Sequence, residues 1–118
     1  MAILALILTL LVAVEHFYIL YLEMFAIEST KAKKIFNLSD DFIAQPKVKV
    51  MFANQGLYNG FLAAGLLFGL ISQQFSVVIF FLICVMFAGI YGAITANRSI
   101  FLKQALPAIL AILAQLLA

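Results

Sequence analysis

Four long apolar stretches constrain the fold of this chain more than any other feature. A helix that crosses the hydrocarbon core of a bilayer, about 30 Å thick, needs about 20 predominantly apolar residues. The stretches that meet this length lie at residues 2–27, 48–71, 75–96 and 100–118. The 118 residues leave room for one domain made of these helices and a loop at 28–47. We therefore predict an all-α protein, an integral membrane four-helix bundle.

The composition supports the same class of protein. Hydrophobic residues make up 67% of the chain and charged residues only 10%, and the mean hydropathy is +1.21. A typical soluble domain is about half apolar and about one quarter charged. The net charge of +2 comes from a local group of lysines, so we predict no nucleic-acid partner. Cys84 is the only cysteine, which excludes an intrachain disulfide.

The basic residues indicate how the helices cross the membrane. Five lysines surround the first connection, the second connection at 72–74 carries no charge, and the third carries Arg98 and Lys103. Cytoplasmic loops are enriched in lysine and arginine. We therefore predict a multi-pass protein of the bacterial cell membrane, with a cytoplasmic loop at 28–47 and both termini outside. Apolar residues scattered through this loop are compatible with a short interfacial helix.

Titratable residues within the first apolar stretch are the strongest indication of a functional site. A charged side chain at the centre of a membrane helix costs about 2.5–3.5 kcal/mol, so such residues usually face a protein interior and have a function. With 100° per residue, His16 and Glu23 nearly eclipse one another two turns apart, and Glu15 lies within about 100° of both. We predict Glu15, His16 and Glu23 as catalytic residues, with Glu15 and His16 as a proton-handling pair and Glu23 tuning His16 or gating the entrance.

Six further polar residues are candidates for ligand binding. They are Asn54, Gln55, Tyr58, Asn59, Tyr91 and Gln104. Under the predicted topology most of them fall in the cytoplasmic half of the bilayer, while the outer half is almost wholly apolar. This distribution favours a polar pocket open to the cytoplasm over a continuous channel. On the other face of the second helix, Gly56 and Gly60 favour close helix approach, and we predict a homo-oligomer, a trimer or a dimer, surrounded by lipid.

Several strings of residues carry a resemblance to a known family. They are Glu15-His16-Phe17-Tyr18-Ile19, the stretch from Asn54 to Ala63, Ala88-Gly89-Ile90-Tyr91-Gly92 and Gln104-Ala105-Leu106-Pro107-Ala108. With these strings the chain resembles, over nearly its whole length, a family of small bacterial four-pass membrane proteins that contain a domain of unknown function. The resemblance implies the four-pass fold and brings no activity or catalytic residues.

A more distant similarity concerns architecture. The basic first loop and the opening of the second helix, Lys49 to Asn54, resemble the membrane-associated eicosanoid and glutathione metabolism family. Members of that family are trimers in which a glutamate lies shortly after this asparagine. In the present chain Leu57, three residues after Asn54, stands at the position of that glutamate. The similarity thus implies a trimeric bundle with a site facing the cytoplasm, but not glutathione chemistry.

Three hypotheses of function remain open at this stage. The preferred one is binding of a small polar or amphipathic ligand in a cytoplasmic-side intramembrane pocket, where acid/base chemistry could follow. The alternatives are a proton-coupled small-molecule transporter and a structural or accessory membrane protein without a ligand site. The sequence identifies neither an enzyme class nor a cofactor. We predict no metal site, because the chain has one histidine and no second thiol.

Overall fold

The computed structural model describes residues 2–118, and this part of the chain is all-α. The helices are α1 (Ala2–Phe25), α2 (Thr30–Phe36), α3 (Asp40–Ile43), α4 (Pro46–Ile71), α5 (Phe75–Thr95), a π-helical turn (Phe101–Ala105) and α6 (Leu106–Leu117). The ends of the long helices differ from the predicted windows by two residues or fewer. The loop at 28–47 contains the two short helices α2 and α3.

Two of the described helices are long and apolar enough to cross a membrane. They are Ala2–Phe25, with a mean hydropathy of 2.4, and Phe75–Thr95, with a mean hydropathy of 2.7. The apolar helical segment Phe101–Leu117 is shorter. Helix α4 has the length, at 26 residues, but Lys47, Lys49 and a run of polar residues make its first half less apolar.

Side-chain caps explain why the polar loop folds into two short helices. Ser29 precedes α2, and its hydroxyl accepts a hydrogen bond from the backbone N–H of Ala32. The helix ends at Asn37, which adopts the left-handed conformation with φ of 56°. Ser39 caps α3 in the same way, through the N–H of Phe42. Serine is a preferred N-cap residue and asparagine tolerates positive φ, so the local sequence sets these helix ends.

The chain folds into two compact units. The first comprises the chain up to Val14 together with Leu62–Ala118. Its core contains residues of α1, α4, α5 and α6, namely Val12, Ala13, Ala63, Leu66, Val78, Leu82, Val85, Ala108 and Ala111. Within this unit α5 packs closely on the π-helical turn, where a side chain at Gly89 would meet the backbone of Ala105.

The second unit, Glu15–Phe61, holds the end of α1, both short helices and the start of α4. Its core residues are Leu22, Ile27, Ala32, Ile43 and Val48. Phe36 of α2 and Phe52 of α4 pack against this core, with their ring centroids 6.0 Å apart. The short helices are therefore anchored to the long ones by apolar side chains, and this unit contains most of the predicted site residues.

Candidate functional site

The site is organised by a close contact between α1 and α4 in the second unit. A Cβ atom at Gly56 would lie 2.8 Å from Cγ of Met24 and 3.0 Å from Cβ of Glu23. One turn later, a Cβ atom at Gly60 would overlap the side chain of Leu20. Glycines four residues apart let two helix backbones approach, and here they bring α4 directly against Glu23.

The contact places the amide of Asn59 beside the carboxyl group of Glu23. Nδ2 of Asn59 donates a hydrogen bond of 2.8 Å to Oε1 of Glu23 and a second one of 3.2 Å to the backbone carbonyl of Gln55. Glu23 is only 7% exposed. A buried carboxylate needs hydrogen-bond donors to offset the loss of water, and Asn59 supplies one and fixes its direction.

Glu23 also lines an open cleft with a volume of about 600 Å³ in the second unit. The lining residues come from the end of α1, the segment that follows it and the first turns of α4. They are Glu23, Met24, Phe25, Ala26, Ile27, Glu28, Ser29, Lys49, Val50 and Ala53. The cleft thus combines an apolar wall with three titratable side chains, a combination that suits ligand binding.

An ion pair occupies another part of the cleft lining. Nζ of Lys49 lies 3.0 Å from Oε1 of Glu28, and both side chains are partly exposed. In contrast, Glu23 has no ion-pair partner among residues 2–118. Asn59, which is neutral, is its hydrogen-bond partner. The lining therefore contains one paired carboxylate and one carboxylate without a counter-charge.

The predicted pair Glu15 and His16 lies outside this cleft lining. His16 is fully buried, and its Nδ1 lies 4.0 Å from Oε1 of Glu15, too far for a hydrogen bond. The Glu15 side chain is 34% exposed, and its enclosed Oε1 accepts no hydrogen bond within the described part of the chain. Of the three acid/base candidates, Glu23 is the one that the structure combines with a donor and a cleft.

The polar candidates of α4 divide into two groups. Asn59 is half-buried and contacts Glu23, whereas the side chains of Asn54, Gln55 and Tyr58 are exposed. The glycine face of α4 packs on α1, so the face that carries Asn54, Gln55 and Tyr58 does not. The glycine face is therefore covered by α1 and is not available to a second copy of the chain.

The two remaining candidates lie in the first unit. Tyr91 is 71% exposed on α5, and its backbone carbonyl accepts a hydrogen bond from the Thr95 hydroxyl. Gln104 is half-buried in the π-helical turn. In this turn the N–H of Leu106 donates to the carbonyl of Phe101, five residues earlier, and Pro107 follows without a donor of its own.

Sequence reasoning missed three residues with structural or site roles. Thr9 is fully buried, and its hydroxyl oxygen accepts a hydrogen bond of 3.0 Å from Nε2 of Gln115. Thr9, His16 and Glu23 follow one another at intervals of seven residues. This spacing places them on one face of α1 and was the available signal for a buried polar stripe. Glu28 and Lys49 were not predicted to pair, because their separation in sequence gives no sign of the contact.

No group of three or more metal-binding side chains occurs among residues 2–118. Chemically, the site offers a fixed carboxylate acceptor, an ion pair and an apolar wall. Such a set can bind a molecule with one polar end.

Comparison with known proteins finds relatives in bacteria. The chain is 41% identical over 115 residues to the uncharacterized protein YpaA of Lactococcus lactis subsp. lactis (strain IL1403). The aligned region covers 96% of this chain and 97% of that protein. A segment of 29 residues is 79% identical to an uncharacterized protein of Haemophilus influenzae, covering 25% of this chain and 37% of that protein.

No solved structure matches the chain. The predicted similarity to the membrane-associated eicosanoid and glutathione metabolism family therefore stays a prediction. The predicted resemblance to a family with a domain of unknown function is confirmed. Residues 10–116 match the family described as "Protein of unknown function (DUF1304)", and the chain belongs to that family.

Proposed function

We propose that this protein is an integral membrane four-helix bundle that binds a small polar or amphipathic ligand in the cleft beside Glu23. The exposed surfaces of α1 and α5 support the membrane part of the proposal. Only 28% of the apolar window of α1 and 22% of that of α5 is buried within the protein. Residues such as Ile3, Phe87 and Ile94 are 73%, 63% and 78% exposed. A core helix of a soluble protein would bury most of these residues, whereas lipid can cover them.

In this proposal α4 and the segment Phe101–Leu117 supply the other two spans. The lysine-rich segment with α2 and α3 is then cytoplasmic, and both termini lie outside. The cleft adjoins this segment, so it opens at the cytoplasmic end of the helices. Small ligands in helical membrane proteins are commonly held by a few polar groups, and in this cleft Glu23, oriented by Asn59 from the facing helix, is such a group.

Topology can be tested with a matched pair of cysteine variants. In a Cys84→Ser background, Gln45→Cys and Gln74→Cys each replace an exposed glutamine in a different connection. We expect a membrane-impermeant maleimide to label Gln74→Cys in spheroplasts and Gln45→Cys only in inverted membrane vesicles. Labelling of both positions from the same side would contradict the four-span arrangement.

The hydrogen bond between Asn59 and Glu23 at the cleft carries the ligand proposal. Two well-packed apolar side chains would stabilise the same helix contact at least as well as a buried polar or ionic pair. The pair therefore suggests a role beyond packing. A carboxylate held in one direction at a cleft is suited to binding, since preorganised groups lose little conformational freedom when a ligand arrives.

Exposed polar residues on α4 support a homo-oligomer as part of the proposal. Asn54, Gln55 and Tyr58 project from the first half of α4, and Tyr58 is 54% exposed. Within a membrane, polar side chains of this kind usually form hydrogen bonds to a neighbouring helix. A second copy of the chain, a dimer or a trimer, would cover them. Asn54→Leu combined with Gln55→Leu should then lower the subunit number.

Native mass spectrometry from lipid nanodiscs tests the ligand site directly. We expect the wild-type protein to retain an additional small mass, and the double variant Glu23→Leu with Asn59→Leu to lose it. The double variant Thr9→Val with Gln115→Leu removes the polar pair of the first unit and is the matched control. Retention of the same mass by the Glu23 variant, or its loss from the control alone, would overturn the proposed site.

A further inference from the structure

We infer that the ligand of the cleft is an amphipathic cation, a molecule with an ammonium head and an apolar tail. This inference rests on the proposed function and specifies the chemical class of its ligand. Three features of the cleft lining support it: the charge balance, the hydrogen-bonding capacity that remains free, and the position of the apolar side chains.

The charge balance of the lining favours a positive ligand. Glu23, Glu28 and Lys49 are the titratable residues among the lining side chains, two acidic groups against one basic group. Lys49 lies 3.0 Å from Glu28, so these two charges compensate one another. The remaining acidic group is the carboxyl group of Glu23, whose partner Asn59 is neutral. An anionic head would disfavour ionisation of this carboxyl group, whereas an ammonium group would stabilise the ionised form by supplying its counter-charge.

Next to Glu23, the hydrogen-bonding capacity that remains free is that of an acceptor. Asn59 donates both amide hydrogens, one to Glu23 and one to the carbonyl of Gln55. The hydroxyl of Ser29, which also lines the cleft, donates to the carbonyl of Ala26 at 2.6 Å and accepts from Ala32. An ionised carboxylate can accept several hydrogen bonds and donates none. A ligand group that binds Glu23 must therefore bring donors, which a primary or secondary ammonium group does.

The apolar part of the lining suits a hydrocarbon tail. Phe25 and Val50 are 73% and 68% exposed, and both line the cleft together with Met24. An alkyl chain that covers them removes apolar surface from water or from the headgroup region. A small inorganic cation would leave this wall uncovered, so the geometry points to an organic amine.

Three probes with the same alkyl chain separate the head group from the tail. Octylamine is positive at neutral pH, 1-octanol is neutral and octanoate is negative. Binding of each radiolabelled probe is measured by equilibrium dialysis against the wild-type protein in phosphatidylcholine nanodiscs, with empty nanodiscs as the blank. We expect octylamine to bind at least about tenfold more tightly than 1-octanol, and octanoate to bind most weakly.

Variants assign the preference to Glu23. Glu23→Gln keeps an oxygen that can accept from Asn59 but removes the charge, so octylamine affinity should fall about tenfold while 1-octanol affinity stays unchanged. Asp41→Asn removes the same charge from an exposed position outside the cleft lining and should change neither affinity. Lys49→Met leaves Glu28 without its counter-ion and should tighten octylamine binding severalfold. Circular dichroism and size-exclusion elution show whether each variant is folded.

The possible outcomes distinguish the inference from the proposed function. If 1-octanol or octanoate binds as tightly as octylamine, and Glu23→Gln does not alter the order, the cation inference is wrong and the ligand site stands. If none of the three probes binds above the blank, while the retained mass of the wild-type protein still depends on Glu23 and Asn59, the inference again fails alone. If neither probe binding nor a retained mass is found, both fail.

Discussion

Replacing Asn59 by alanine provides a quantitative test of the contact that organises the site. The substitution removes the 2.8 Å hydrogen bond to Glu23 and the weaker one to the carbonyl of Gln55. A hydrogen bond to a charged group contributes about 1.5–3 kcal/mol in soluble proteins. Bonds between membrane helices average about 0.6 kcal/mol and reach about 1.7 kcal/mol. Because Glu23 is 7% exposed, water replaces the lost donor poorly, and we expect a loss near the upper membrane value.

Asn54→Ala is the matched control for this substitution. Asparagine is a poorer helix former than alanine by several tenths of a kcal/mol, so both variants gain the same intrinsic helix stability. Asn54 is exposed on the same helix, so in samples dilute enough to be monomeric its replacement changes little else within one chain. The difference between the two variants isolates the contact with Glu23. We expect Asn59→Ala to be less stable than Asn54→Ala by about 1–2 kcal/mol.

The assay is reversible unfolding in mixed micelles of increasing sodium dodecyl sulfate content, followed by circular dichroism, since the chain has no tryptophan. A double-mutant cycle that combines Asn59→Ala with Glu23→Ala measures the coupling energy between these two side chains, which should be at least about 1 kcal/mol. A coupling energy below about 0.3 kcal/mol, or equal stability of the two asparagine variants, would refute the assignment of Asn59 as the partner of Glu23.

Two further predictions concern other parts of the chain. A Cβ atom at Gly89 would lie 2.5 Å from the backbone nitrogen of Ala105, whereas one at Gly92 would first meet the Ile100 side chain at 3.1 Å. Gly89→Ala should therefore lower the free energy of unfolding by about 1–3 kcal/mol, while Gly92→Ala should be neutral or stabilising, measured by the same unfolding assay. The hydrogen bond and charge of Lys33, 2.7 Å away, lower the pKa of the Asp40 carboxyl. The stabilisation from this pair is present above the usual aspartate pKa and is lost as pH falls through the lowered value; carbon-13 NMR titration should show the Asp40 pKa rising in Lys33→Gln.

Local sequence patterns were sufficient for the long helices but not for the contacts between them. Apolar length located the long helices to within two residues, because the number of consecutive apolar residues is a local property. The face of α4 that meets α1 is not a local property. Polar residues and small residues can each drive helix association, and the sequence offers both on α4. The structure resolves the choice in favour of Gly56 and Gly60, with Asn59 at the edge of that face.

The candidate site was predictable in part for the same reason. Glu23 and His16 were expected on one face of α1, and both are buried. Asn59 was one of several equivalent polar residues in the sequence, and its selection depends on the close approach at Gly56. Lys49 pairs with Glu28 across 21 positions, a distance that no helical periodicity describes. Contacts between elements therefore decided which polar residues form the site.

The contrast between Glu15 and Glu23 gives the last prediction. Both are carboxylates of α1, and the sequence favoured Glu15 because it lies deeper in the apolar stretch. A binding group must be held in a fixed direction by its neighbours. Glu23 meets this condition through its hydrogen bond from Asn59. In contrast, Oε1 of Glu15 accepts no hydrogen bond within residues 2–118, and Glu15 does not line the cleft. Glu15→Gln should therefore leave octylamine binding unchanged, measured by the same dialysis in which Glu23→Gln lowers it. An equal loss in both variants would show that the ligand reaches Glu15, and the site would then extend beyond the cleft described above.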